Sequence, residues 1–345
     1  MNRQTHFTLW DGLLLTGILL ITAMFCISLG SVSIPLSDII TIIRSVLTNS
    51  EIPSITGKAI LLSVRIPRII CVALIGASLS ICGTAMQGLL RNPLADGSTL
   101  GVSAGASLGA VIALAFNITL PVFPFGGPMI LAMLFAFGSL LLILTLAYAL
   151  DKSLATHSII LIGVIFSMFA SSLMSLVISF SGEKIKSITF WTMGSLSGSN
   201  YTYALILAFA LFFCSVIIVR HARELNAFAI GEENAANIGV NVRQIKLAIL
   251  ITVSILIGVC VSIGGTIAFV GLVTPHMARM LFGPNHRRLL PVSLYFGAIF
   301  LLLADLIART ILRPIELSIG VVTSLFGAAA FVLIFYRSRK GKTGC

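Results

Sequence analysis

Ten stretches of this chain stay apolar for about the thickness of a membrane, and no other feature limits its fold so tightly. They cover about 9–30, 67–90, 98–117, 128–150, 158–180, 201–219, 247–264, 266–282, 290–312 and 317–336. A helix needs ~20 apolar residues to cross a bilayer. Inside hydrocarbon, backbone polar groups are satisfied only within a helix or a closed barrel. Barrel strands alternate apolar and polar residues, and these runs are continuous. The chain is therefore expected to be an all-α, polytopic transmembrane protein of about ten spans, one domain over residues 1–345. Only 10% of its residues are charged and 58% are hydrophobic, where soluble domains carry about a quarter charged. The pair at 247–282 is the least separated, broken only by Gly264–Gly265 and Pro275. One long kinked helix is the alternative there.

At the N-terminus, Arg3 precedes an apolar run from Leu13 to Leu29, longer than a signal-peptide core, so a retained first span is expected. Five of the six cysteines fall inside apolar runs and none forms a CxxC. They read as small buried hydrophobes, with no metal site.

Basic residues in short loops set orientation. An even span count with both termini in the cytoplasm puts 14 of the 22 basic residues inside, from Arg3 and Arg91 to Lys342. Eight stay outside: Arg44, Lys58, Arg65, Arg68, Lys184, Lys186, Arg309 and Arg313. The net charge of +11 is scattered over loops, which suits anionic lipid better than nucleic acid.

Several local patterns invite chemistry. Gly97, Gly101, Gly105 and Gly109 give small-xxx-small spacing for close helix packing. Gly101-Val-Ser103-Ala-Gly105 matches a nucleophile elbow but lacks the strand–turn–helix setting. Gly341-Lys342-Thr343 imitates a P-loop end, with Tyr336 where the first Gly belongs. Asp305 and Arg309 share a helix face and read as an ion pair. His276 follows Pro275 with no second ligand at metal spacing. Ser167, Ser171, Ser172 and Ser175 serve a pathway wall or helix packing equally well.

The loop 220–246 carries Glu224, then Gly231, Glu232, Glu233, Ala235, Ala236 and Gly239. Acids at a helix start and Gly at its stop predict a one- to two-turn helix exposing both alanines. It is either a capped connector or a docking knob.

Six segments, in order, resemble the FecCD/BtuC-type permease subunits of bacterial ABC importers for iron–siderophores, haem and vitamin B12. They are Arg65-Ile-Pro-Arg68, Gly83 to Gly101, Trp191-Thr-Met-Gly194, Gly231 to Gly239, Phe269 to Arg279, and Ala304-Asp305 through Arg309 to Thr323. One departure is Gly97, where the family usually has Pro. The resemblance implies a type II ABC importer permease architecture with ten spans in the bacterial cytoplasmic membrane. It implies no catalytic residue and no cofactor on this chain, with ATP and Mg on the partner ATPase. Implied partners are a second permease subunit, identical or not, two ATPase subunits and an extracytoplasmic substrate-binding protein. Arg65, Arg68 and Arg309 would face that binding protein, and Glu224 to Gly239 would couple to the ATPase. The implied cargo is an iron chelate, a ferric siderophore foremost, with haem and cobalamin as other cargoes of the family. A secondary transporter driven by an ion gradient is the competing reading. It asks for several intramembrane acids or broken helices.

Overall fold

The computed structural model describes residues 7–30, 35–48, 55–97, 100–119, 126–152 and 155–340. Ser98 and Thr99 of the second family segment, Arg3, Lys342 and the P-loop-like Gly341-Lys342-Thr343 lie outside them.

Helix α1 (Leu9–Ser28) starts on a capping box. The Asp11 N–H donates to Thr8 Oγ1 while the Thr8 N–H donates to the Asp11 carboxylate. Then come α2 (Leu36–Thr48), α3 (Ile55–Ala59), a π-helical turn (Ile60–Arg65) and α4 (Ile66–Leu89). Next are α5 (Val102–Ala115), α6 (Gly126–Leu150), α7 (Thr156–Ser179), a 3-10 turn (Gly182–Lys184) and α8 (Ile185–Thr192). The chain continues through α9 (Tyr201–Arg220), α10 (Ala222–Phe228), α11 (Glu232–Asn237) and α12 (Val242–Gly264). It closes with α13 (Val270–Phe282), α14 (His286–Thr310) and α15 (Ile319–Lys340). Asn200, Asn241 and Asn285 cap α9, α12 and α14 with their side-chain oxygens.

All ten expected spans appear as helices, and among the described residues seven helices are long and apolar enough to cross a bilayer: α1, Gly57–Leu89, α6, α7, α9, α12 and α14. The other three are α5, α13 and α15. α5 has 14 residues and α13 has 13. At 1.5 Å rise per residue these are ~20 Å long, below the ~30 Å hydrocarbon thickness. α15 runs over Ile319–Lys340, 22 residues, and its sequence stays apolar to Tyr336. The stretch 247–282 is two helices: α12 ends at Gly264, and Gly265 turns the chain with φ +67.

α4 is the hub. Its most apolar stretch is 78% buried, against 22% in α7 and α9, which keep apolar faces outward. It packs on α14, α12, α13 and α9. Contact with α14 is backbone to backbone: a Cβ on Gly76 would sit 2.3 Å from the Gly297 carbonyl oxygen. Only glycine at that crossing lets the helices close so far. α13 survives its internal Pro275 for a specific reason. Pro has no N–H for the Gly271 carbonyl four residues back. Gln87 Nε2 of α4 donates to that carbonyl instead, at 3.3 Å. Arg279 Nη2 holds the other end of the same amide, donating to Gln87 Oε1 at 3.1 Å.

Candidate functional site

Three places concentrate the family-like residues: a charged cluster at one end of the bundle, a cavity within it, and a short helix at the opposite end.

The charged cluster joins the start of α4 to the end of α14 and the loop after it. Arg68 Nη2 lies 2.9 Å from Asp305 Oδ1, and Arg68 Nη1 lies 2.8 Å from Glu316 Oε2. Arg309 Nε sits 2.8 Å from Asp305 Oδ2, an ion pair of proximity in which the N–H points off the oxygen. The expected Asp305–Arg309 pair therefore forms, and Arg68 joins it from the other side. Asp305 is fully buried. Arg65, 5% exposed, donates from Nη1 to the Ile27 carbonyl at 2.7 Å. Arg309 also donates to the carbonyls of Leu29 and Cys26. The three arginines thus sit together at one end of the bundle but are buried and tied to their own chain, where the sequence reading had them facing a partner. At the same end, Lys58, Lys186 and Arg313 are exposed.

The cavity, of about 410 Å³, lies between α5, α7, α12 and the start of α13. Of the four candidate serines, Ser167 and Ser171 line it. Ser172 and Ser175 lie elsewhere on α7, donating to the carbonyls of Met168 and Ser171. Ser103, Ser107, Asp96 and Thr266 also line the cavity; sequence reasoning named Ser103 only within the elbow-like pattern and missed the other three. The cue for two of them was present, since Ser103 and Ser107 lie one turn apart beside the glycine stripe. That stripe is split. Gly101 is the left-handed residue just before α5, with φ +73, while Gly105 and Gly109 pack on α6. Gly97 also precedes the helix, and a Cβ there would meet Ile257 Cδ1 at 2.3 Å.

At the opposite end, α11 forms as expected, between Gly231 (φ +114) and Gly239 (φ +91). Its faces differ from the expectation. Ala235 is fully buried, because the helix leans on the bundle. Glu233, Asn234, Ala236 and Asn237 are exposed, flanked by Ile230 and Ile238. Two exposed isoleucines beside a short polar helix were not singled out from sequence. Glu232 is an anchor: its Oε2 lies 2.7 Å from the fully buried Lys246 Nζ of α12, and Thr156 Oγ1 of α7 donates to its Oε1 at 2.8 Å. Glu224 sits on α10 with its carboxylate 3.9 Å from His221. α10 is pinned in turn, with Asn226 Nδ2 donating to Asn285 Oδ1 at 2.9 Å and its oxygen accepting the His286 N–H at 2.9 Å. The short helices are therefore fixed to α7, α12 and α14. Two of those, α7 and α12, also line the cavity.

Among the described residues no group of three or more His, Cys, Asp or Glu side chains could hold a metal ion.

The FecCD transport family model matches residues 18–337. The chain is 40% identical over 329 residues to the uncharacterized ABC transporter permease protein YvrB of Bacillus subtilis, covering 94% of this chain and 92% of that one. It is 34% identical over 329 residues to the molybdate import system permease protein MolB of Haemophilus influenzae, covering 95% of each. It is 36% identical over 294 residues to the hemin transport system permease protein HmuU of Yersinia pestis, covering 82% of this chain and 85% of that one. Among solved structures it matches an inward-facing transporter assigned to the metal-chelate type of ABC transporter. The TM-score is 0.81 and the identity 32%, over 94% of this chain and 97% of that one.

Proposed function

The chain belongs to the FecCD transport family of ABC importer permeases, and on that premise we propose that it carries an iron chelate, a ferric siderophore foremost, across the bacterial cytoplasmic membrane. The observation that carries the import reading is the pinned short helix α11 with its exposed rim of Glu233, Asn234, Ala236 and Ile238. A rigid knob at one end of a helical bundle suits a partner that pushes. The partner is an ATPase subunit, one on each of two permease subunits. ATP and Mg bind there, and this chain does no bond chemistry.

Motion at α11 passes through Glu232 into α7 and α12, so the cavity wall moves with the knob. Ser167 and Ser171, with Ser103 and Ser107, offer the cargo hydroxyl contacts that slow it little. The coupling end faces the cytoplasm together with both termini, and the charged cluster faces the binding protein. Arg65, Arg68 and Arg309 then act there by shaping the outer mouth. The exposed Lys58, Lys186 and Arg313 give the approaching acidic protein its long-range attraction. The competing secondary-transporter reading finds no support in the relatives named above.

The test is reconstitution of the chain with its ATPase and binding protein in vesicles, with uptake measured for a ferric siderophore, haem, cobalamin and molybdate. ATP-dependent uptake of the siderophore above the other three is expected. Uptake that ignores ATP and follows an ion gradient would overturn the importer reading. Preference for one of the other cargoes would overturn only the substrate.

A further inference from the structure

A second cavity, of about 410 Å³, opens where α1 begins, α9 ends and α14 begins. Its lining is Phe7, Val219, Arg220, Ala222, Arg223 and Arg287. We infer that it is a binding site for the headgroup of an anionic phospholipid.

Three features support this. First, charge: three arginines line the cavity and no acid does. Among the described residues no carboxylate pairs with Arg220, Arg223 or Arg287, and residues 1–6 contain no acid either. The nearby acids are engaged elsewhere. Asp11 takes two hydrogen bonds from the neighbouring Arg288, at 3.1 and 2.7 Å, and Glu224 lies beside His221. Among the described residues the +3 charge of the cavity thus has no acidic partner, and a phosphate diester matches guanidinium geometry.

Second, depth: the cavity sits where three helices meet the boundary of their apolar spans, the level of lipid headgroups. Basic pockets between spans at that level suit anionic headgroups.

Third, an apolar track leads from it. α9 exposes Phe209, Phe212, Phe213 and Val216 along the turns before Arg220. An acyl chain lying on this face would bring its headgroup to the cavity. The wall itself is fixed: the Phe7 ring stacks on Tyr295 at 6.5 Å between centroids.

The site goes beyond the importer reading and does not depend on it. The full chain, purified in detergent and delipidated, is titrated with phosphatidylglycerol and with phosphatidylcholine, and bound lipid is counted by native mass spectrometry. Retention of phosphatidylglycerol over phosphatidylcholine is expected. The triple variant Arg220→Gln/Arg223→Gln/Arg287→Gln should weaken it about fivefold per arginine removed. The charge-matched triple Arg44→Gln/Lys58→Gln/Lys186→Gln, at the other end of the bundle, should leave it intact. A single Arg223→Gln variant, with melting checked in lipid-free detergent, keeps the test valid if the triple fails to fold. Equal losses from both triples would overturn the site, because general charge would explain the binding. So would unchanged lipid retention with lost ATPase assembly, which would assign these arginines to the partner protein. Protection by inorganic phosphate equal to that by phosphatidylglycerol would overturn the lipid as the ligand.

Discussion

The pair Glu232–Lys246 offers a quantitative test of how the short helix α11 is held. Lys246 Nζ is fully buried on α12 with Glu232 Oε2 at 2.7 Å, and the Glu232 side chain keeps 29% of its surface exposed. Glu232→Gln preserves shape and removes the charge. Removing one member of a fully buried pair costs about 3–5 kcal/mol. Because Glu232 is partly solvated, a loss below that range, about 2–3 kcal/mol, is expected. Lys246→Met removes the other member and keeps most of the apolar stem in place. The double variant leaves neither charge behind, so its loss should be smaller than the sum of the two single losses. The cycle should therefore show a coupling of about 1–3 kcal/mol. The assay is the denaturation midpoint of the purified chain in mixed micelles for all four proteins. Additivity within about 0.5 kcal/mol would refute the pair as a fastening. A second measurement separates fastening from mere stability. In the reconstituted transporter, Glu232→Gln should retain ATPase activity but deliver less cargo per ATP hydrolysed, because the push on α11 no longer reaches α7 and α12 in full. An unchanged ratio would detach Glu232 from force transmission.

Other outcomes follow from the same geometry. Asp305→Asn leaves Arg68 and Arg309 buried at 2.8–2.9 Å from a neutral side chain, so a loss of about 3–5 kcal/mol is expected in thermal melts. Arg68→Glu should lower folded yield more than it alters binding-protein affinity, and a folded variant with lost affinity would reverse that order. Gly297→Ala places a Cβ 2.1 Å from the Gly76 carbonyl oxygen and should cost about 1–3 kcal/mol or misfold, read by melting and by detergent solubility. Ile238→Asp, on the exposed rim of α11, should weaken ATPase co-purification while the melting temperature stays within a degree or two of the parent.

Much of the candidate site was legible because its signals are local. The Asp305–Arg309 pair follows from four-residue spacing on one helix. The bounds of α11 follow from Gly231, which precedes its first turn at φ +114, and Gly239, whose positive φ follows its end. What misled the reading was also local. Ala235 looked as available as Ala236, because a six-residue helix has too few side chains to reveal which face leans on the bundle. Arg65 and Arg68 looked like free surface charge, because their partners, the Ile27 carbonyl, Asp305 and Glu316, come from distant parts of the chain.

The sequence alone determined that this chain is a helical membrane protein, where its apolar helices lie, and which family it resembles. Hydrophobic runs, caps and motif order are written within a few residues of one another. The tertiary structure alone decided that α5 and α13 are short helices of 14 and 13 residues, and that Gln87 of α4 serves the carbonyl Pro275 leaves unpaired. It also decided that Arg68 meets Asp305 from 237 positions away and that Glu232 fastens α11 to α7 and α12. Those facts depend on which helices lie side by side. That is set by packing around α4, where two glycines allow a close crossing, and a one-dimensional pattern of apolar residues does not encode it.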